Sequence, residues 1–466
     1  MYLPSAEEWG QGSRKVKGVD VYHAGSGGVR DEWLSSCRDQ RALTREMMSS
    51  ITDLSNLLAS AKRVISNKGV AGIDGMEVGC LGLWLQVHQN RLIDSLQNNT
   101  YRVSKVKGVQ IPKPKGGYRQ LGIPVVIDRM VQQAIQQILE QHYDPTFSEY
   151  SYGFRKGKGS HACLSQASEY VRSGYRHIVD IDLAGFFDEV NHDRLLWQLR
   201  QRIGDPVVIA LIGKFLRSGL LQGGLTCQRT KGTPQGSPLS PLLSNIVLDE
   251  LDKELERRGL RFVRYADDLI IFTSSRKAAE RVESSITNFL ENRLKLKVNA
   301  AKSGIRRPTE LNFLGHGILT NGDLSLSKES YQRLQYRLKS KTQRNRGISL
   351  ARMVEEVNVL MRGWLHYFRQ AKMKVKLAKL MSWLRRRLRC FRLKQGKRTI
   401  GVARLLKGLG VPEWRSWLLA LSSKGWYAKS CSPPSHEGMN LSWFTKIGLF
   451  DLSANYCSQL MKPPST

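Results

Sequence analysis

The stretch Arg261-Phe-Val-Arg-Tyr-Ala-Asp-Asp-Leu-Ile-Ile-Phe272 decides the fold. Two short apolar strands, Arg261–Tyr265 and Leu269–Phe272, meet at Asp267-Asp268, which predicts a tight hairpin. Adjacent carboxylates at a turn repel each other, and a divalent cation is the usual reason to keep them together. Taken alone, the pair also fits a plain Asp-rich turn.

Upstream lies a second acidic strand, Val179-Asp-Ile-Asp-Leu-Ala-Gly-Phe-Phe-Asp188. Alternation along it points Asp180 and Asp182 to one face. Asp182 ends the apolar run, whereas Asp188 or Asp193 better suits a helix cap. If the two strands are neighbours, Asp182, Asp267 and Asp268 form a three-carboxylate cluster. Such a cluster suits two Mg²⁺ about 4 Å apart, acting on in-line displacement at phosphorus.

The rest of the chain fits a phosphate-bearing partner. Its 466 residues carry 73 Lys and Arg against 40 Asp and Glu, a net charge of +33. Hydrophobic residues make up 41%, which excludes a disordered chain. The surplus is concentrated: between Lys328 and Lys407, 24 Lys and Arg face three acidic residues, +21 of the +33. A polyanion, nucleic acid first, is the implied partner. Seven Cys without a C-x-x-C pair imply neither a zinc ribbon nor a disulfide framework. No apolar run is long enough for a membrane span, and the N-terminus has no signal pattern, so a reducing, cytoplasmic setting without membrane contact is expected.

Periodicity sketches the elements. Met47, Ile51, Leu54, Leu57 and Leu58 fall on one helical stripe. Lys105–Pro112 and Tyr118–Ile123 flank Lys-Pro-Lys-Gly-Gly as a hairpin. Asp128 reads as the cap of a helix with an apolar face through Met130, Ala134, Ile138 and Leu139. After residue 328 the chain is mainly helical, with a wide stripe through Val354, Val357, Met361, Leu365 and Phe368.

These motifs, in this order, resemble the group II intron reverse transcriptases. Tyr265-Ala-Asp-Asp268 with the upstream Asp-x-x-x-Phe-Phe strand is similar to their palm. Ile111-Pro-Lys-Pro-Lys-Gly-Gly-Tyr-Arg-Gln-Leu-Gly-Ile-Pro124 resembles their fingers hairpin, and Gly232-Thr-Pro-Gln-Gly-Ser-Pro-Leu-Ser-Pro241 their loop beside the incoming nucleotide. Gly72-Ile-Asp-Gly75, Ser151-Tyr-Gly-Phe-Arg155, Phe313-Leu-Gly-His316 and Arg362-Gly-Trp-Leu-His-Tyr-Phe368 also fit, so the resemblance covers roughly residues 45 to 455.

The resemblance implies an α+β right-hand polymerase: fingers and a palm with an antiparallel sheet, then an α-helical thumb or maturase domain and a basic DNA-binding region. The expected segments are an N-terminal extension at 1–45, fingers and palm at 46–323 (core about 94–319), thumb or maturase at 324–384, and the DNA-binding region with its tail at 385–466.

It also implies roles. Asp182 and Asp267 would bind the two Mg²⁺ ions directly, with the backbone carbonyl of Leu183, and Asp268 would be auxiliary. Phe187 would be the steric gate against the 2′-hydroxyl, while Phe186 packs in the core. Lys113 and Arg119 would grip the triphosphate. Gln235 would orient the templating pair or the nucleotide sugar, and Lys302 would stand near the active site. His192 and His316 read as structural. Arg385-Arg-Arg-Leu-Arg-Cys-Phe-Arg-Leu-Lys-Gln-Gly-Lys-Arg398 resembles the DNA-binding segment, with Trp383 and Phe391 interleaved for base stacking. The tail lacks the His-Asn-His and Cys-pair signature of the appended endonuclease, which implies a primer from a replication fork or another nick.

The implied function is RNA-directed DNA synthesis from dNTPs by the protein of a mobile group II intron. It would act as a maturase in a ribonucleoprotein with intron RNA, and copy that RNA at a DNA target and primer during retrohoming. Two alternatives fit many of the same residues: an intron-free reverse transcriptase in DNA repair or phage defence, and a non-catalytic RNA-binding splicing factor.

Overall fold

The computed structural model describes residues 46–112, 116–222 and 225–460. The expected extension over 1–45 and Lys113, which the resemblance implies would grip the triphosphate, lie outside the described residues.

In chain order the main elements are α1 (Leu54–Ser66), α2 (Leu81–Gln97), β1 (Val106–Pro112), β2 (Tyr118–Ile123), α3 (Val126–Tyr143), α4 (Ser160–Arg172) and β3 (His177–Ile181). There follow α5 (His192–Arg202), α6 (Pro206–Arg217), β4 (Leu220–Gln222), β5 (Leu225–Cys227), α7 (Ser240–Arg257), β6 (Arg261–Tyr265), β7 (Asp268–Thr273) and α8 (Arg276–Asn288). Then come β8 (Gly304–Arg306), β9 (His316–Ile318), β10 (Leu324–Leu326) and the helices α9 (Lys328–Lys341), α10 (Leu350–Phe368), α11 (Lys374–Gln395), α12 (Thr399–Gly408) and α13 (Glu413–Leu421).

The sheet that positions the carboxylates runs β6-β7-β3-β8, each pair antiparallel. It is covered on both faces, so its strands are nearly continuous apolar runs. Ile178, Val263, Ile270 and Phe272 face Cys163, Leu164 and Ala167 of α4. Val179, Ile181, Phe262, Leu269 and Ile271 face the larger core that α7 and α8 help to build. A second sheet, β2-β1-β4-β5, carries the fingers hairpin: β1 is antiparallel to β2 and parallel to β4.

Local readings were corrected in three places. The stripe expected from Met47 to Leu58 is two helices: the chain breaks at Asp53, whose side chain accepts from Ser55 N–H and caps α1, and Leu54 and Leu58 end up exposed. Asp128 does not cap α3. That helix starts at Val126, and the Asp128 carboxylate is buried, accepting from Tyr101 Oη (2.6 Å) and Ser104 N–H (3.0 Å). Phe391 is 3% exposed and belongs to the thumb core, and Trp383 packs against the same core. An apolar ring on a core-facing helical row goes inward whatever its basic neighbours, so Phe391 offers no stacking surface.

The thumb is α9, α10 and α11 packed through Leu334, Leu338, Met353, Val357, Met361, Leu377 and Leu384. Helix α11 runs without a break across residues 384 and 385, where the resemblance implied that the thumb gives way to the DNA-binding region. The tail then folds back: Phe444, Leu452 and Tyr456 join the thumb core, and Tyr456 Oη donates to the Ala371 carbonyl (2.9 Å). Basic charge and apolar core share one helix here, on different faces.

Burial pushes the Asp128 carboxyl up to about 6 from 3.8, against the lowering pull of its two hydrogen bonds. The folded state thus holds this proton more tightly than the unfolded one. Its contribution to stability is full below about pH 4 and is lost as pH rises through about 6, a swing of about 3 kcal/mol at most. Asp128→Asn should gain thermal stability over the wild-type chain above pH ~6 and show no such gain near pH 4.

Candidate active site

The turn between β6 and β7 is the two residues Ala266-Asp267, closed by pairing of Tyr265 with Asp268. Ala266 takes φ +59°, a conformation that costs a non-glycine residue about 1–2 kcal/mol. Three contacts hold it. Arg264 Nη1 donates to the Ala266 carbonyl (2.9 Å), and Asn245 Nδ2 to the Gly153 carbonyl (2.9 Å). Residue 153 lies so close that any Cβ there would collide with the Ala266 nitrogen, which only glycine avoids.

Arg264 is wholly buried, as is its bidentate partner Asp252 on α7 (Nε to Oδ1, 2.7 Å); its other contacts are Asn245 Oδ1 and Ser151 Oγ. Neither Arg264 nor Asp252 was picked out from sequence. The available signal was an arginine inside an otherwise apolar strand, since a buried charge needs a partner.

Strand β3 pairs with β7 from His177↔Thr273 to Ile181↔Leu269, so one further step sets Asp182 opposite Asp268. Both then share a sheet face with Ile178 and Ile270, on the α4 side. Asp182 is wrapped by the segment after α8. Asn299 Nδ2 donates to Asp182 Oδ2 (3.0 Å), Asn299 N–H to the Asp182 carbonyl (2.8 Å), and Lys302 Nζ lies 3.1 Å from Oδ2. Asp180 pairs instead with Arg306 (2.7 Å). Asn299 is a further residue that spacing alone did not single out.

The electrostatics follow from burial of like charges. Burial raises the Asp267 carboxyl; its own backbone N–H lowers it, Asp182 raises it, and Arg119 and Lys302 lower it. Asp268 is pushed up to about 6, by burial first and then by Asp267, Asp182 and Asp180. Two partly buried carboxyls held against this cost are a functional-site signature.

A cleft of about 1520 Å³ collects the expected residues. Asp182, Leu183, Asp267, Asp268, Lys302, Phe187, Gln235 and Arg119 all line it. Phe187 is half-buried and set edge-on to the buried Phe186 (centroids 5.3 Å apart), and its carbonyl accepts from Thr233 N–H (2.6 Å). The Gln235 carbonyl accepts from Gly122 N–H (2.8 Å), tying its loop to the end of β2. Gly236, at φ +117°, lies against the Gly122 carbonyl, where a Cβ would come within 2.6 Å. Phe154, at φ +60° and 51% exposed, also lines the cleft, from the Ser151–Arg155 motif. His192 and His316 are buried and bonded to the Gly232 and Leu314 carbonyls, as structural residues are.

The donor set fits a hard divalent cation of one kind. Among the described residues no three His, Cys, Asp or Glu side chains close into a metal cage, and Asp182 is paired with Lys302. Bonds from Ala184 N–H to Lys297 and from Asn299 N–H to Asp182 bracket Leu183, leaving its own carbonyl out of that bridge. Two carboxylates and a carbonyl on an open cleft suit a hard divalent cation that completes its shell with water and substrate phosphate. They do not suit a fully caged ion.

A two-sided antiparallel palm sheet, a carboxylate hairpin and a fingers hairpin facing it define a right-hand nucleic-acid polymerase. Comparisons agree. Residues 111–318 match the family model "Reverse transcriptase (RNA-dependent DNA polymerase)", and residues 331–407 match "Group II intron, maturase-specific domain". The chain is 30% identical over 316 residues to Protein YkfC of Escherichia coli (strain K12), covering 59% of this chain and 83% of YkfC. It is 29% identical over 294 residues to the group II intron-encoded protein LtrA of Lactococcus lactis subsp. cremoris, covering 49% of each. Among solved structures, the partial Cas6-RT-Cas1–Cas2 complex matches at 27% identity and a TM-score of 0.34, over 53% of this chain and 43% of that one.

The chain belongs to the group II intron reverse transcriptase/maturase family. That is a family of RNA-directed DNA polymerases that work with divalent metal ions, and its maturase domain implies RNA binding. The chain spans about half the length of LtrA. No helix among the described residues is long and apolar enough to cross a membrane.

Proposed function

We propose that this protein is the reverse transcriptase and maturase of a mobile group II intron, extending a DNA primer on intron RNA with dNTPs. The register that sets Asp182 opposite Asp268, in one cleft with the fingers hairpin and the Pro-Gln-Gly loop, carries this reading. Asp182, Asp267 and the Leu183 carbonyl would hold two Mg²⁺, which supply activation of the primer 3′-hydroxyl and charge neutralisation on the leaving pyrophosphate. Asp268 tunes the local charge. Arg119 holds the triphosphate bidentately from the fingers strand. Lys302 and Asn299 keep the Asp182 carboxylate oriented, and the Gln235 loop positions the nucleotide against the template. The thumb and the basic face of α11 grip the template–primer duplex, the DNA target and the intron RNA through phosphates.

Phe187 is the sugar gate in this reading. Wild-type chain extending a primer on an RNA template should prefer dNTPs strongly over NTPs. Phe187→Ala should shrink that preference roughly 10- to 100-fold, the ~1–3 kcal/mol expected of a steric pocket contact, with dNTP use largely kept. Equal use of NTPs and dNTPs by the wild-type chain would remove the gate and favour an RNA polymerase.

A further inference from the structure

Away from the catalytic cleft, a second cavity of about 540 Å³ lies where the α9–α10 connection meets α11. Its lining includes Gln343, Arg344, Asn345, Arg387, Lys394 and Tyr427, and shares no residue with the cleft. The size falls within the roughly 300–1,000 Å³ of small-ligand pockets.

Among the described residues the charges here have no carboxylate counterpart, Arg344 being bonded to the neutral Cys390 thiol. The carboxylates of the region are committed elsewhere: Glu356 to Lys341 and Arg346, and Asp451 to Arg385. Among the described residues, Arg344, Arg387 and Lys394 form no ion pair with a carboxylate. Arg387 is half-buried and fixed: Nε donates to Thr342 Oγ1 (2.6 Å), and Nη2 to the Lys339 and Thr342 carbonyls (3.1 Å each) at the end of α9. A fixed guanidinium bonded only to neutral acceptors, beside two more cations, is built for an anion.

Tyr427 adds a flat surface. Arg386 lies 3.7 Å from its ring centroid and donates to its carbonyl (3.2 Å), and Tyr427, which lines the cavity, stays 40% exposed. A ring stacked on a cation and still partly exposed offers a surface that can receive an unstacked base. Duplex bases are stacked and paired and present nothing to such a ring. The stacking role expected of Trp383 and Phe391 thus has a candidate in an aromatic residue more than 30 positions further on.

We propose that this cavity is a single-nucleotide site. It takes one unpaired nucleotide of an RNA or single-stranded DNA partner, with its base on Tyr427 and its phosphate held by Arg344, Arg387 and Lys394. The proposal rests on the reading that the basic segment of α11 contacts nucleic acid.

The test measures binding of the full chain to a hairpin with one bulged 2-aminopurine, against the same hairpin with an abasic bulge, in RNA and DNA versions. The bulged base should tighten binding roughly 10-fold, as one base–aromatic stack does, and its fluorescence should change on binding. Tyr427→Ala should erase that preference and Tyr427→Phe should keep it. Arg344→Gln with Lys394→Gln should weaken both hairpins alike. Tighter binding of the RNA version assigns the site to intron RNA; equal or tighter binding of the DNA version assigns it to a displaced DNA strand. A wild-type chain indifferent to the base, or a preference surviving Tyr427→Ala, overturns the pocket. If the double charge variant still weakens binding, the wider phosphate reading stands; if no variant changes binding, that reading falls too.

Discussion

Asp182→Asn and Asp267→Asn should each lower cDNA synthesis by about 10³-fold or more, equivalent to ~4 kcal/mol of transition-state stabilisation. Both side chains line the cleft, and each loses a full negative charge without losing its shape. Asp268→Asn should cost less, because its role is to tune its neighbours. The stability effects should run the other way. Asp267 and Asp268 are held partly buried beside other carboxylates, at the expense of folding, so removing one charge should leave the thermal midpoint unchanged or raised. Asp182→Asn also releases Lys302, an exposed pair worth little to stability. RNA affinity should hold in all three variants. A variant that loses activity because it unfolds would show a lower midpoint instead, so the same thermal scan separates the two explanations.

The second large effect is expected at Arg264, which does not line the cleft. Arg264→Met would strand the wholly buried Asp252 without a partner, a loss of about 3–5 kcal/mol. It would also remove the donor to the Ala266 carbonyl and so free a strained turn to relax. Stability and positioning can be told apart. The double substitution Arg264→Met with Asp252→Leu replaces the ion pair by apolar volume and should recover most of the lost stability. It does not restore the hold on Ala266, so cDNA synthesis should stay well below wild type while the thermal midpoint returns. Recovery of both together would reduce Arg264 to a packing residue.

The catalytic carboxylates are legible in sequence because their signal is local: charge at the end or turn of an apolar strand, where ordinary packing gives no reason for it. The residues that hold them are less legible. Asn299 and Lys302 reach Asp182 across more than 100 positions, and Arg264 reaches Asp252 across a strand–helix junction. Nothing local marks such partners until the chain is folded. Asp128 misleads for the opposite reason. It has the composition of a helix cap, but tertiary bonds to Tyr101 and Ser104 claim it first. Phe391 misleads because a run of arginines hides the helical period that sends every third or fourth side chain inward.

The concentrated basic charge acquires a more definite geometry. It lies over α11 and the α9–α10 connection, where Arg344, Arg387 and Lys394 stand without carboxylate partners among the described residues, and the acidic cleft on the palm has basic residues of its own, Arg119, Lys156, Lys158 and Lys302. A protein that only bound RNA would need the basic face and would have no use for clustered, mutually repelling carboxylates lining a cleft.

The most direct measurement is extension of a DNA primer on an RNA template by the full chain in Mg²⁺ and dNTPs, beside Asp267→Ala, with RNA affinity determined on the same preparations. The account predicts cDNA from the wild-type chain, none from Asp267→Ala, and equal RNA binding by both. Equal extension by the two chains, or RNA binding without any extension by the wild-type chain, would contradict it.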